Sequence, residues 1–342
     1  MSHTGPWRIQ ILGARVLLDP VRMAVCTAVL VLTGLCACSI LMTGRVELDV
    51  AELLQALISD NDTAASRMLR ELRLPRVVTG MAAGACLGLS GLVFQTLSRN
   101  ALGSPELIGT VTGAALGAVT GIVIFGSYGW TTTAWAIGGA IVATAVGYFL
   151  TSRARGSAMR FVLVGIGLSS WWSAMTTLLW TRSDAELGST AAMWLAGTLN
   201  ARTWEHAHLA AAGLLVLLPV AIVLSRHLAV LDLGPDVASV LGVRLSVVGR
   251  VGICLGAALS AVAVAATGPI SFVALAAPHI ARSLGGRSTP PVCLSAACGA
   301  ALLLGAELLV THVRTEIQAP VSVVTGLLGG VYLLIMMLRS SR

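Results

Sequence analysis

Long apolar runs separated by short polar intervals set the first expectation for this chain. A bilayer core takes about 20 apolar residues per helix, and residues 23–44, 77–98 and 161–181 reach that length without a charge. Residues 106–153 hold room for two spans, with Gly126-Ser127-Tyr128-Gly129 as the turn between them. Residues 209–225, 251–266, 291–313 and 317–338 follow, and 291–313 is interrupted only by Glu307 and His312. Nine spans read directly from this pattern.

A tenth comes from the arginines. Arg8, Arg15 and Arg22 precede the first span and Arg339 and Arg342 follow the last, which predicts both termini on the cytoplasmic side and hence an even number of crossings. The missing crossing falls in 267–289, where Gly268-Pro269 and Pro278 break the apolar run, and a short helix is expected near 271–284. With ten spans the inner segments hold fourteen arginines against four acids, and the outer segments eight against ten. Three segments do not cross. Residues 47–71 are polar and amphipathic, predicting a helix on the outer surface. Residues 190–200, with Met193, Trp194 and Leu195, predict a half-helix tucked into the outer mouth. Residues 231–250 predict an inner knob in which Gly234-Pro235 opens a short helix and Gly242 ends it. One transmembrane domain, 1–342, is expected, with a short cytoplasmic N-terminal segment 1–20 and the cytoplasmic segment 231–250.

Composition narrows the class. The chain is 56% hydrophobic and 11% charged, against roughly 25% charged in an ordinary soluble domain, and its mean hydropathy is +0.88. That excludes a water-soluble enzyme and a disordered chain. All 22 cations are arginine. Without a lysine there is no phosphate-binding G-x-x-x-x-G-K-[ST] loop, so ATP is not bound through a motif of this chain. The arginines cluster between spans, which favours membrane orientation over nucleic acid. The seven cysteines lie in apolar stretches, and neither they nor the histidines show metal-ligand spacing. No metal, cofactor or catalytic residue is expected.

Several motifs occur in order along these spans. Leu72-Arg73-Leu74-Pro75-Arg76 leads into GMAAGACLGLSGLVFQ (80–95), and RNALGSPELIG (99–109) leads into Val111-Thr112-Gly113-Ala114. Ala238-Ser239-Val240-Leu241-Gly242-Val243 lies in the knob. Gly268-Pro269-Ile270-Ser271-Phe272-Val273, Ala277-Pro278-His279-Ile280-Ala281-Arg282, Ala319-Pro320 and Val323-Val324-Thr325-Gly326 complete the set. From about residue 23 onward the chain resembles the siderophore and vitamin B12 (FecCD-type) permease family of binding-protein-dependent ABC importers. It departs from the family pattern at Ala101, Ala274, Glu307 and Gly329-Gly330-Val331. The resemblance implies an all-α, ten-helix type II ABC importer permease in a bacterial cytoplasmic membrane. Its implied partners are two ATP-binding subunits, an extracytoplasmic substrate-binding protein, and a second permease copy or paralogue.

The resemblance also assigns roles, each beside a plainer reading. Arg73 and Arg76, otherwise interfacial anchors in contact with lipid headgroups, would dock acidic lobes of the binding protein, with Arg314 standing one turn beyond the position where the family often has a further arginine. Asp236, Val237, Val240, Leu241, Gly242, Val243 and Arg244 would form the ATPase-coupling element, with an apolar ridge and a charged rim. Asn100 and Leu102 would sit at an inner gate, where the plain alternative is an Asn-containing turn. Glycines spaced three or four apart (Gly80, Gly84, Gly88, Gly91; Gly109, Gly113, Gly117, Gly121; Gly252, Gly256) permit close helix packing and also suit a neutral translocation path. His279 reads as a structural residue at a helix start. Glu307 reads as a carboxylate hydrogen-bonded within the bundle; a proton-coupled secondary transporter would use it instead. The function expected is import of a ferric siderophore, or a chelate such as haem or cobalamin, by alternating access driven by a separate ATPase. A membrane-embedded enzyme is the further rival, and no polar cluster at one depth supports it.

Overall fold

The computed structural model describes residues 7–11, 14–18, 20–43, 48–58, 63–152, 158–285, 291–312 and 319–340. A short antiparallel hairpin, β1 (Trp7–Ile11) and β2 (Ala14–Leu18), opens the chain with Trp7 opposite Leu18. It is an addition to the all-helical expectation for a segment of ordinary polar-apolar mixture. The described elements after it are all helices: α1 (Pro20–Met42), α2 (Val50–Ile58), α3 (Ala64–Met68), α4 (Leu74–Ser98), α5 (Thr110–Phe125), α6 (Trp130–Ser152) and α7 (Ala158–Thr181). Then come α8 (Ala185–Leu195), α9 (Trp204–Asp232), α10 (Pro235–Val240), α11 (Leu245–Thr267), α12 (Val273–Gly285), α13 (Val292–His312) and α14 (Val321–Ser340).

Ten of these helices stand where spans were predicted, and α12 is the short tenth. Among the described residues six helices have the length and apolarity to cross a membrane; α5 and α14 are shorter apolar helices. The segment expected as one surface helix is instead α2, α3 and a π-helical turn (Leu69–Arg73) that runs straight into α4. Pro75 sits in the first turn of α4 and offers no N–H, so the widened turn ahead of it accommodates the missing bond. The half-helix α8 starts five residues earlier than expected, at Ala185, and its C-terminal end meets Ala196 and Gly197.

The core forms around α4. Its hydrophobic window is 89% buried, against 22% for α1 and α9, which makes it the central post of the bundle. Glycine explains how so many neighbours fit. A Cβ added to Gly84 would meet the carbonyl of Gly299 on α13, one on Gly88 the carbonyl of Ser295, and one on Gly91 the carbonyl of Ala274 on α12. Backbone therefore packs on backbone along one face of α4. The α5–α6 pair repeats the device, with Gly113 and Gly117 against Gly139. On α11 the glycines do something different: Gly252 and Gly256 are notches that receive the side chains of Leu97 and Phe94. Two polar side chains on α4 then fix its register. Ser90 Oγ donates to the Gly256 carbonyl at 2.6 Å, and Gln95 Nε2 to that of Leu275 at 2.9 Å.

Gly91→Ala places a methyl group inside the α12 backbone, and overpacking of this kind costs about 1–3 kcal/mol. The expected outcome is a clear drop in the thermal midpoint of the purified protein. Gly138→Ala, at a position with no atom within 4 Å of the added carbon, should leave it unchanged.

Candidate functional site

The long helix α9 runs the depth of the bundle, with α8 before its first residue and α10 after its last, so the bundle has an α8 end and an α10 end. At the α8 end, the π-helical turn ends and α4 begins with two inward-facing arginines, Arg73 on the turn and Arg76 on α4. Arg73 is only 7% exposed; its Nη1 donates to the Leu41 carbonyl of α1 at 2.6 Å, and Nη2 lies 3.5 Å from Met68 Sδ. Arg76 forms an ion pair with Glu307 of α13, a residue that is itself 1% exposed. Removing either partner would strand a charge in an apolar interior, so each holds the other in place. Together the two arginines tie α1, α4 and α13. The geometry thus gives Arg73 and Arg76 partners within the chain, and it gives Glu307 the bonded place in the bundle that the sequence suggested. Arg314 lies outside the described residues. Arg67, Glu71 and Leu72 are exposed at this corner.

The α10 end is built differently. Gly234, at φ +114, lets the chain turn into Pro235, and Pro235 starts α10 with its preset backbone. Gly242, at φ +80, closes it, where the amides of Leu241, Gly242 and Val243 bond back to the carbonyls of Val237, Ser239 and Ala238. Ala238 is fully buried against the fold, and Val243 packs against the core from the far side of the turn. Val240 is 86% exposed, Leu241 62% and Val237 45%, with Asp236 and Arg244 exposed beside them and Val243 half-buried. Val237, Val240 and Leu241 thus present apolar side chains outward from a compact, twice-capped knob.

Near the same end, α4 terminates at Arg99, a non-glycine residue in the left-handed region at φ +48. Asn100 Oδ1 accepts from the Leu102 amide at 2.9 Å, so the Asn-containing turn is present, and it carries Leu102 outward at 47% exposure. Glu106 follows on a 3₁₀ turn, its carboxyl held above the usual range by burial. Arg282 of α12 reaches back to Thr96 Oγ1 at 2.8 Å.

Two groupings escaped the sequence reading. His279 does not start a helix: α12 begins six residues earlier, and the imidazole hydrogen-bonds Tyr332 of α14. The second lies around Gly197, which is in the left-handed region, with a Cβ there blocked by the Pro269 carbonyl. The Ser322 hydroxyl donates to the Ala196 carbonyl, the Thr198 amide to that of Thr267, and Arg202 to both Thr198 and Thr267. The half-helix expected over 190–200 ends at Leu195, and the signal available was the polar run Thr198-Leu199-Asn200-Ala201-Arg202-Thr203 that follows it. Among the described residues no group of three or more His, Cys, Asp or Glu is placed to hold a metal.

A model of the FecCD transport family matches residues 29–339. This chain belongs to the FecCD transport family. It is therefore a transport permease rather than an enzyme, and a multi-pass membrane protein. The family member is 37% identical over 302 residues to the ferric enterobactin transport system permease protein FepG of Escherichia coli (strain K12), covering 88% of this chain and 92% of FepG. It is 31% identical to the Fe(3+) dicitrate transport system permease protein FecD of the same organism, covering 80% and 85% of the two chains. Among solved structures it resembles an inward-facing conformation of a transporter of the metal-chelate ABC type, with a TM-score of 0.81, 26% identity, and 92% and 99% coverage.

In this FecCD-family chain the Arg76–Glu307 pair should behave as a closed unit. Arg76→Met or Glu307→Leu alone should each cost about 3–5 kcal/mol of stability, and the double substitution should recover most of it. A double-mutant cycle on thermal unfolding in detergent checks this.

Proposed function

We propose that this chain is the membrane-spanning permease of an importer for a ferric siderophore or similar ferric chelate. The α10 end faces the cytoplasm and the α8 end faces outward, in the bacterial cytoplasmic membrane. Two permeases, identical or paralogous, enclose the path, and two separate ATPase subunits power it. The observation that carries the reading is the α10 knob. Val240 and Leu241 are held out on a segment capped by two positive-φ glycines, with Asp236 and Arg244 at the rim, an apolar centre and charged edge of the kind protein interfaces have. The arginine asymmetry between predicted inner and outer segments supports the orientation. The substrate class follows from the chelates named for FepG and FecD.

A loaded binding protein docks at the α8 end. Arg73 and Arg76, engaged with Leu41 and Glu307, act in this docking from beneath: they hold α1, α4 and α13 as a firm floor, over which Arg67, Glu71 and Leu72 are exposed. Arg314 belongs to the same docking face by its position in the sequence. Asn100 and Leu102, on the turn after α4, constrict the inner mouth. Glu307 is engaged with Arg76, which leaves it unsuited to carrying protons as a secondary transporter requires.

Replacing Val240 and Leu241 with Asp puts two desolvation penalties at the centre of the coupling interface. Co-purification of the ATPase subunit with the permease should then fall by about tenfold or more, while the permease keeps its monodisperse profile. Undiminished co-purification would refute the assignment of the knob.

A further inference from the structure

The α8 end holds a cavity of about 580 Å3 that neither the glycine packing nor the knob explains. The α5–α6 turn, α8, and the segment leading into α9 enclose it. Met193 and Trp194 give it an apolar wall, while Thr133, Asn200, Arg202 and His206 give it a polar one. The His206 ring is already committed to the Thr203 capping box, so it contributes shape rather than charge.

Arg202 is the unusual member. Its Nε donates to the Thr198 carbonyl at 3.0 Å and its Nη2 to that of Thr267 at 3.3 Å, so two edges of the fork are anchored to backbone. Among the described residues Nη1 has no hydrogen-bond partner and the guanidinium has no carboxylate partner. Burial lowers its pKa only to about 10, so the group is cationic at neutral pH. Arg76 answers a comparable cost by pairing with Glu307; Arg202 lines an open cavity instead. Beside it, Ala201 is held in the left-handed region at φ +56, a conformation that costs a non-glycine residue energy and tends to persist where a site requires it.

We propose that this cavity is a binding site for an anionic oxygen group, a carboxylate or an ionised phenol, seated on Nη1 of Arg202 with its carbon skeleton against Trp194 and Met193. An anchored guanidinium with one free edge in a partly dry cavity selects for such a group. The proposal deepens the import reading by naming the charge class that the α8 end accepts, and it rests on that reading only for who supplies the anion. The chelate itself is one source, and an acidic side chain of the docked binding protein is the other.

The test uses the full-length chain in lipid nanodiscs with Met193→Cys, an exposed position on the cavity wall. Modification by anionic and cationic methanethiosulfonates is followed on the peptide carrying that cysteine by mass spectrometry. Arg202→Gln should cut the anionic-to-cationic rate ratio by about fivefold, whereas Arg202→Lys should keep most of it. A purely structural Arg202 predicts no dependence on charge. Independently of those variants, reaction of Met193→Cys with an uncharged methanethiosulfonate is measured in the presence of a polyanionic ferric tris-catecholate or a tetraglutamate peptide at matched ionic strength. Slowing by the ferric complex alone assigns the site to the chelate. Slowing by the peptide assigns it to acidic side chains, and either result supports the site. An unchanged rate ratio, or slowing by neither probe, overturns it. No ATPase or uptake takes part, so failure of the import reading would leave these results standing on their own.

Discussion

Close approach of backbones around α4 is the constraint on which the rest of the structure depends. Gly84, Gly88 and Gly91 bring α4 against the carbonyls of α13 and α12, closer than any side chain would allow. In a bilayer, apolar side chains gain little from meeting one another rather than lipid, so packing at this range and the polar bonds it permits hold helices together. Ser90 and Gln95 supply such bonds in the middle and lower part of α4. Arg73 and Arg76 supply them at its start, and Thr96 with Arg282 near its end. One helix is thus fastened at every level to α1, α11, α12 and α13.

A fixed post makes the two ends of the bundle intelligible. At the α10 end, apolar side chains are held outward on a capped knob joined by short turns to α9 and α11. A push on the knob is therefore a push on two long helices that flank α4. At the α8 end, α8, α11 and α14 are knotted together through Ala196, Gly197, Thr267 and Ser322, so displacement of one of these helices is felt by the others. At the start of α4 the buried charges Arg73, Arg76 and Glu307 stay engaged with one another or with backbone.

Much of this was legible in the sequence. Apolar run lengths gave the spans, and the parity of arginine-flanked segments gave the short helix α12, because span length and basic flanks are properties of local sequence. Gly234-Pro235 and Gly242 announced the knob, since only their backbone preferences make so short a capped helix. What stayed hidden depended on pairing across the fold. Arg73 and Arg76 read as surface groups because nothing local reveals that Leu41 and Glu307 lie beside them. The glycines of α11 matched those of α4 in spacing, yet accept side chains rather than backbone, a distinction set by their neighbours. Arg202 looked like any loop arginine until Thr267, far along the chain, came to its side.

Under the proposed function, energy comes from separate ATPase subunits, and Glu307, deeply buried and closed off by Arg76, takes no part in supplying it. The most direct measurement is uptake of a ferric siderophore into proteoliposomes containing the purified chain alone, under an imposed proton gradient. No accumulation is expected until ATPase subunits, ATP and a loaded binding protein are added. Uphill accumulation by the chain alone, abolished by Glu307→Gln, would contradict the proposed function.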